Sequence, residues 1–226
     1  MTGEKFVAGS FLSYLAEGDR DLLLGRGLRR EFPANGTLLT EGDPSDHVLV
    51  VLSGWVRVAT SLNDGREVVY ALRGPGDVLG ELAAVHGWPR SASVRGIGPV
   101  VAVQLTKSEL FAALTNLPGI AVALLKTVAV RLRDAENARI GAAALDVSKR
   151  LAKYLIDLAG ERGVVDGKEI FIESPLTQED IAAHLGASRR AVARAFGLLR
   201  ERGVVSTGRK RIVVHRLDVL KSLVRL

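Results

Sequence analysis

An antiparallel β-roll, one long helix and a winged helix-turn-helix, in that order, make up the α+β architecture this chain predicts. Three observations carry it. Short apolar runs recur between glycine- and proline-marked turns from Thr37 to Leu105. An uninterrupted helical pattern then runs from about Pro118 to Asp146. Near the C-terminus, two short helices joined by a tight turn precede a two-stranded hairpin. The chain accordingly divides at 1–117, 118–146 and 147–226.

In the first region the strands read as Val48–Leu52, Trp55–Ala59, Val68–Leu72 and Val100–Leu105. Glu41-Gly42-Asp43-Pro44, Ser53-Gly54 and Arg73-Gly74-Pro75-Gly76-Asp77 punctuate them, and Asp64-Gly65 marks a hairpin. The helix that follows, roughly 28 residues, would span about 42 Å, more than one small domain needs. Leu124, Val128, Leu132, Ala135, Ala142 and Leu145 lie near one of its faces. That stripe is expected to bury itself against a second copy in a parallel, coiled-coil-like homodimer. From Ala135 onward the seam turns to alanine, which buries less apolar area per contact. Burial of the stripe on the chain's own roll is the alternative.

The third region opens with a helix from Val147 to Leu158 and has strand character at Ile170–Ile172. Leu176–Arg200 then reads as two helices. Ile181 and Leu185 stripe the first; Val192, Ala195, Phe196 and Leu199 stripe the second. Gly186 stands where the chain needs positive φ, and Ser188 is placed to cap the second helix. Arg189, Arg190 and Arg194 project from its first turns, away from the apolar face. Guanidinium groups so placed suit a DNA major groove; a helical hairpin with a solvated basic face is the plainer reading. Val204–Ser206 and Ile212–Val214 form a wing, with Arg209, Lys210 and Arg211 at its tip.

Charge placement favours the DNA reading. Residues 1–146 carry 15 Lys+Arg against 16 Asp+Glu, and residues 147–226 carry 16 against 9, so the net charges are −1 and +7. A basic surface confined to one domain is the footprint of phosphate binding. No basic amphipathic helix with large apolar anchors accompanies it, so a membrane surface is a poorer partner than DNA. No stretch approaches the ~20 apolar residues of a membrane span. Met1–Arg20 alternates apolar and charged residues, unlike a secretion signal, and a cytoplasmic location is expected. With no cysteine there is no disulfide, thiolate metal site or cysteine-held iron–sulfur cluster. His47, His86, His184 and His215 fall at no ligand spacing, and His184 is a surface or packing residue. No cofactor or metal is expected.

Pro75–Val94, PGDVLGELAAVHGWPRSASV, concentrates turn residues, an acid, an arginine and a hydroxyl. Gly80-Glu81-Leu82-Ala83-Ala84 looks like a short helical turn after a strand, its first amides free for an anion. Arg90, flanked by small residues, would need an anionic partner if buried. Ser91 adds a small donor, and Glu81 an acceptor suited to a sugar hydroxyl. An intramolecular Glu81–Arg90 ion pair over a surface loop explains the same residues.

The whole chain resembles the cyclic-AMP receptor protein/fumarate–nitrate regulator family of bacterial transcription factors. GELAAV…PRSASV resembles its phosphate-binding cassette, and TQEDIAAHLGASRRAVARAF its DNA-binding signature. The resemblance implies a cyclic-nucleotide-binding roll beside the long helix. Gly80 and Glu81 then match the cassette glycine and ribose-binding glutamate. Leu82 and Ala83 lie where backbone meets phosphate, and Arg90 and Ser91 match the phosphate-binding pair. Arg131 falls where cyclic-AMP-responsive members also carry an arginine. Ala135 and Glu136 depart from the Thr and Ser or Asn that such members offer the adenine. Glu136 could instead accept from an exocyclic amine, including the guanine edge. Cyclic AMP is expected ahead of cyclic GMP; a cassette that binds no nucleotide is the alternative.

By the same resemblance, Arg189 and Arg194 contact guanines. Arg190 replaces a base-reading glutamate, which alters a palindromic site or turns Arg190 to phosphate. Thr177, Gln178, Ser188, Arg209, Lys210 and Arg211 are expected at phosphates. RNA polymerase is a further expected partner. Two other classes compete. A cupin-like enzyme would want two or three histidines and a carboxylate around a metal, and the roll has only His47 and His86. A ligand-independent, nucleoid-structuring DNA binder needs only the C-terminal region.

Overall fold

The computed structural model describes residues 6–7, 9–44, 46–61, 67–144, 146–173, 176–208 and 210–224; the side chains of 137–144, 161 and 162 are outside that description. Contacts divide the chain into two compact units, residues 1–132 and 133–226.

The first unit opens with a 3-10 turn at Phe11–Tyr14 and α1 at Glu17–Leu24. Strands follow at β1 Leu28–Phe32, β2 Thr37–Leu39, β3 His47–Ser53, β4 Val56–Ser61, β5 Glu67–Arg73 and β6 Val78–Leu79. After α2, Glu81–His86, come β7 Ser93–Gly96, β8 Val100–Thr106 and α3 Lys107–Asn116, and then α4, Pro118–Ala144, begins. The strands form two four-stranded antiparallel sheets, ordered β1-β8-β3-β6 and β2-β7-β4-β5.

β3 shows why the roll has a helical cover. Val48, Val50, Leu49 and Val51 are all buried, so the strand has no polar face. Alternate side chains of a strand point to opposite faces. Leu49 and Val51 meet Leu39, Val56 and Val94 of the other sheet. Val48 and Val50 meet Phe11, Leu12, Leu110, Ile120 and Leu124 on the helical side. Thr106 caps α3 with a full capping box, its hydroxyl accepting from Glu109 N and the Glu109 carboxylate accepting from Thr106 N.

The strands expected within 48–59, 68–72 and 100–105 are present. β4 and β5 pair as a hairpin, while its expected turn, Asp64-Gly65, lies outside the described residues. The long helix corrects one expectation. Ile120, Ala123, Leu124 and Thr127 pack inward on the roll, so Leu124 belongs to this unit's own core. Leu132 of the expected stripe is exposed at 61%, together with Val122 and Leu125 at 51% and 69%. Their spacing of three and seven makes a narrow uncovered seam.

In the second unit, α4 is followed by α5 Val147–Arg162, β9 Val164–Asp166, β10 Glu169–Glu173, α6 Gln178–His184, α7 Arg189–Glu201, β11 Val205–Gly208, β12 Arg211–Val214 and α8 Leu217–Val224. The sheet runs β11-β12-β10-β9. Leu151, Leu155, Ile181, Val192, Phe196, Leu199, Ile212 and Leu220 share one core. The wing departs from its expected bounds. β11 continues through Thr207 and Gly208, and Arg211 is a strand residue paired with Gly208. No single helix among the described residues is long and apolar enough to cross a membrane.

Candidate functional site

The cassette begins where β6 turns into α2. Gly80 has φ +78°, a left-handed conformation, and a β-carbon there would collide with Arg90 Nη1. Glycine is therefore required by the turn and again by its neighbour. Ala84 is the first amide of α2 to bond back, to Gly80 O at 3.1 Å. The amides of Leu82 and Ala83 precede it, in the turn that has no helical acceptor to offer them. The Leu82 side chain is exposed and Ala83 is buried.

Arg90 is 4% exposed. Its Nη1 donates to Gly80 O at 3.0 Å, and its Nη2 donates to His47 O. Its own amide donates to Asp43 O, and its carbonyl accepts from Gly42 N, both at 2.9 Å. Among the described residues, the one carboxylate within ion-pair distance is Asp46, 3.9 Å away and largely exposed. Burial pushes the Arg90 pKa below the usual arginine range, and Asp46, Glu81 and Asp43 counter it only in part. A cation is thus held buried and oriented, without a close anion among the described residues. A cleft of about 410 Å³, lined by residues including Leu39, Asp46, His47 and Arg90, opens beside it.

The alternative Glu81–Arg90 ion pair does not form. Glu81, 5% exposed, faces α4, where Arg131 Nη1 donates to Glu81 Oε1 at 2.6 Å. Arg131 Nη2 donates to Asp77 Oδ1 at 3.2 Å and to Val78 O at 2.9 Å. Burial opposes the Arg131 charge, but Glu81 and Asp77 outweigh it and hold its pKa above the ordinary value. Sequence reasoning placed Arg131 here but missed Asp77, which the Pro-Gly-Asp turn before β6 could have flagged. Ser91 is exposed. Ala135 and Glu136, both exposed, belong to the second unit.

The helix pair of the second unit is built on caps. Ser188 Oγ accepts from Ala191 N at 3.2 Å, and Gly186 has φ +58°. Arg150 of α5, which sequence reasoning missed, donates to Leu185 O at 2.7 Å and so fixes the turn between α6 and α7. The His184 ring packs on Tyr154. Thr177 forms a capping box with Asp180: its hydroxyl accepts from Asp180 N and donates to Asp180 Oδ2. That hydroxyl is committed to the fold. Gln178 opens α6, half-buried.

Arg189, Arg190 and Arg194 are exposed on α7, opposite its buried Val192, Ala195, Phe196 and Leu199. On the wing, Lys210 is exposed with φ +57°. The Arg211 guanidinium lies 5.7 Å from the Phe171 ring centre, and Arg209 lies outside the described residues. Arg200 Nη1 donates to Thr207 Oγ1 at 3.2 Å, which ties α7 to the wing.

A buried-cation cassette on a β-roll, and a cation-studded helix on a winged fold, define a ligand-sensing DNA-binding regulator. The comparisons agree. Residues 29–116 match the cyclic nucleotide-binding domain and residues 149–223 the Crp-like helix-turn-helix domain. A CRP-like cAMP-activated global transcriptional regulator of Mycobacterium tuberculosis is 34% identical over 86% of this chain and 87% of its own. The structure of FixK2 from Bradyrhizobium japonicum is similar, with TM-score 0.78 and 25% identity over 87% of this chain and 96% of that one. CooA from Carboxydothermus hydrogenoformans, with TM-score 0.81, 19% identity and 98% of each chain covered, shares the fold. The chain belongs to the Crp/Fnr family: it is a transcription regulator, not an enzyme, with a cyclic-nucleotide-binding domain and a DNA-binding helix-turn-helix.

Proposed function

We propose that the protein is a homodimeric regulator gated by a cyclic mononucleotide, cyclic AMP in preference to cyclic GMP, which binds a palindromic promoter site in the cytoplasm. One observation carries the reading: Arg90 is buried, held by two carbonyls, and among the described residues has no anion closer than Asp46 at 3.9 Å. A cyclic phosphate supplies that anion in charge-assisted hydrogen bonds. Gly80, the amides of Leu82 and Ala83, and Ser91 complete its cradle, and Glu81 takes the ribose hydroxyl. Glu136 is assigned to the exocyclic edge of the base.

Glu81 already holds Arg131, so a sugar hydroxyl arriving at Glu81 acts directly on α4. Ligand shifts the balance of two helix arrangements only by its difference in affinity for them, about 1.4 kcal/mol per tenfold. The seam of Val122, Leu125 and Leu132 is the proposed contact between copies, and α4 the dimerisation helix between a sensor roll and a DNA-binding domain. Two α7 helices about 34 Å apart then meet successive major grooves. Arg189, Arg190 and Arg194 read bases; Gln178, Ser188, Arg209, Lys210 and Arg211, with the Thr177 turn, face phosphates. RNA polymerase is the partner at a promoter.

Titration calorimetry with cyclic AMP and cyclic GMP, coupled to gel shifts, tests this. Saturable heat, and a nucleotide-dependent shift of promoter DNA, is the expected result. DNA binding with no heat from either nucleotide leaves a ligand-independent DNA binder.

A further inference from the structure

Three side chains on the outer face of the C-terminal sheet form one hydrogen-bonded chain. The ring of His215, just past β12, has its Nδ1 at 2.7 Å from Glu169 Oε1 of β10 and its Nε2 at 3.0 Å from Ser206 Oγ of β11. Alternate residues of a strand share a face. Val205, Ile212, Val214 and Ile172 turn inward to the core of this unit. Val213 pairs with Ser206 on one side and Phe171 on the other, so these three, with Arg211 and His215, share the outer face. The Arg211 guanidinium beside the Phe171 ring agrees. Ser206 and Arg211 are both exposed and are diagonal neighbours across the β11–β12 pair, about 7–8 Å apart by strand geometry. A phosphate run that meets Arg211 is therefore within reach of Ser206.

The proton positions follow from which groups can donate. A carboxylate only accepts, so the Nδ1 facing Glu169 carries a proton. In a neutral ring Nε2 is then bare and accepts from the Ser206 hydroxyl, which turns only lone pairs outward. In a charged ring Nε2 donates to Ser206 Oγ, and the hydroxyl proton is free to donate elsewhere. A phosphate oxygen accepts, so it favours the second arrangement, and the ring's charge attracts it as well.

We infer that Ser206 is a DNA-backbone contact and His215 its positioning residue, which takes up one proton from solvent as the wing meets a phosphate. The inference rests on the placement of the wing at phosphates proposed above, and adds two residues to it. Glu169 holds the ring in either charge state. Lys168 precedes Glu169, and Asp166 of β9 stands opposite it. Arg211 and Glu173 pair further along the same face, and the neighbouring Arg216 guanidinium is held by Asp218 at 3.1 Å. Among these residue types, histidine is the one whose charge ordinarily changes between about pH 5 and 8.

The test is fluorescence anisotropy of the full-length protein on a duplex recovered by binding-site selection, at about pH 6 and about pH 8 and at one salt concentration. S206A should lose about 3- to 10-fold in affinity at the lower pH, on the order of one hydrogen bond, and little at the higher. H215Q keeps a polar side chain that takes up no proton. In its background S206A should cost nothing, and affinity should no longer rise with acid by the amount that S206A removes. Wild-type affinity in S206A at the lower pH overturns the inference, and a K210A variant that still weakens binding leaves the wing reading intact. A loss in S206A that is equal at both pH values, or that persists with H215Q, also overturns it, since the hydroxyl then acts without the histidine. No loss in either S206A or K210A takes the wing off the DNA, and this inference with it.

Discussion

Arg131 Nη1 donates to Glu81 Oε1 at 2.6 Å, and this contact joins the long helix to the first turn of the cassette. Both side chains are mostly shielded, at 17% and 6% exposure. R131L would leave Glu81 and Asp77 without their cation in a dry site. Removing one partner of a buried pair costs about 3–5 kcal/mol. Denaturant unfolding of the R131L variant should show a loss of that size. The R131L/E81Q variant, which carries one stranded charge fewer, should regain part of it. A double variant as unstable as R131L would mean that the ion pair is not the source of the loss.

Arg90 should behave in the opposite way, because its charge is a burden until an anion arrives. R90M removes a guanidinium that burial disfavours, at the cost of its bonds to Gly80 O and His47 O. Cyclic AMP affinity should fall at least about 100-fold, some 2.7 kcal/mol, with the roll still folded. G80A is the contrasting variant, since its methyl collides with the guanidinium and its φ of +78° disfavours a side chain. It should lose binding and also lower the melting temperature. Calorimetry and circular dichroism of the two variants, side by side, separate the cases.

Glu41 should make the roll sensitive to acid. The Thr60 hydroxyl, and then the Ser61 amide, hold its pKa below the ordinary value of 4.5. The folded protein therefore binds that proton less readily than the unfolded chain. The contribution to stability is complete above the unfolded value and is lost as pH falls through the lowered folded value. Denaturant midpoints measured from pH 6 down to about pH 3 should decline, and E41Q should decline less steeply. Equal slopes would assign the acid sensitivity to other carboxylates.

The α4 seam predicts its own disruption. Val122, Leu125 and Leu132 are exposed at 51%, 69% and 61%, while Leu124 is buried in the roll. L125E places a charge on the seam and should yield monomers by sedimentation at micromolar concentration, with the melting temperature of the roll little changed. L124A should do the reverse, costing about 2–5 kcal/mol of stability while leaving the oligomeric state alone.

Leu124 also shows how far the sequence was legible. Its spacing marks an apolar helix stripe, but α4 has two apolar faces, and periodicity cannot say which one meets the roll. Local signals carried well: Ser188 caps α7, Gly186 turns with φ +58°, and β3 and β8 read as apolar runs. Long-range pairings did not. Nothing adjacent to Arg131 marks its bond to Asp77, 54 residues away, or Arg150's to Leu185. The Glu81–Arg90 pair was a fair inference from nearness in sequence. The fold instead sets Glu81 toward α4 and Arg90 toward the carbonyls of Gly80 and His47. The wing's register was misplaced because Thr207-Gly208 reads as a turn, yet cross-strand bonds extend β11 through both.

The basic residues of the DNA-binding domain should separate into two behaviours. Arg190 is exposed in the first turn of α7 beside the capping Ser188, where side chains of a recognition helix reach base edges. A guanidinium prefers guanine, whereas a carboxylate accepts from a cytosine amino group. R190E should therefore change the sequence recovered by binding-site selection at one symmetric position, with discrimination there moving by about 1–3 kcal/mol. Lys210 sits at the wing tip, where a point charge can serve a phosphate but reads no base. K210A should weaken binding to every sequence alike and lower the salt dependence by about one counterion. A K210A variant with altered sequence preference, or an R190E variant with an unchanged site, would reverse these two assignments. Selection and salt titration on the same pair of variants decide it.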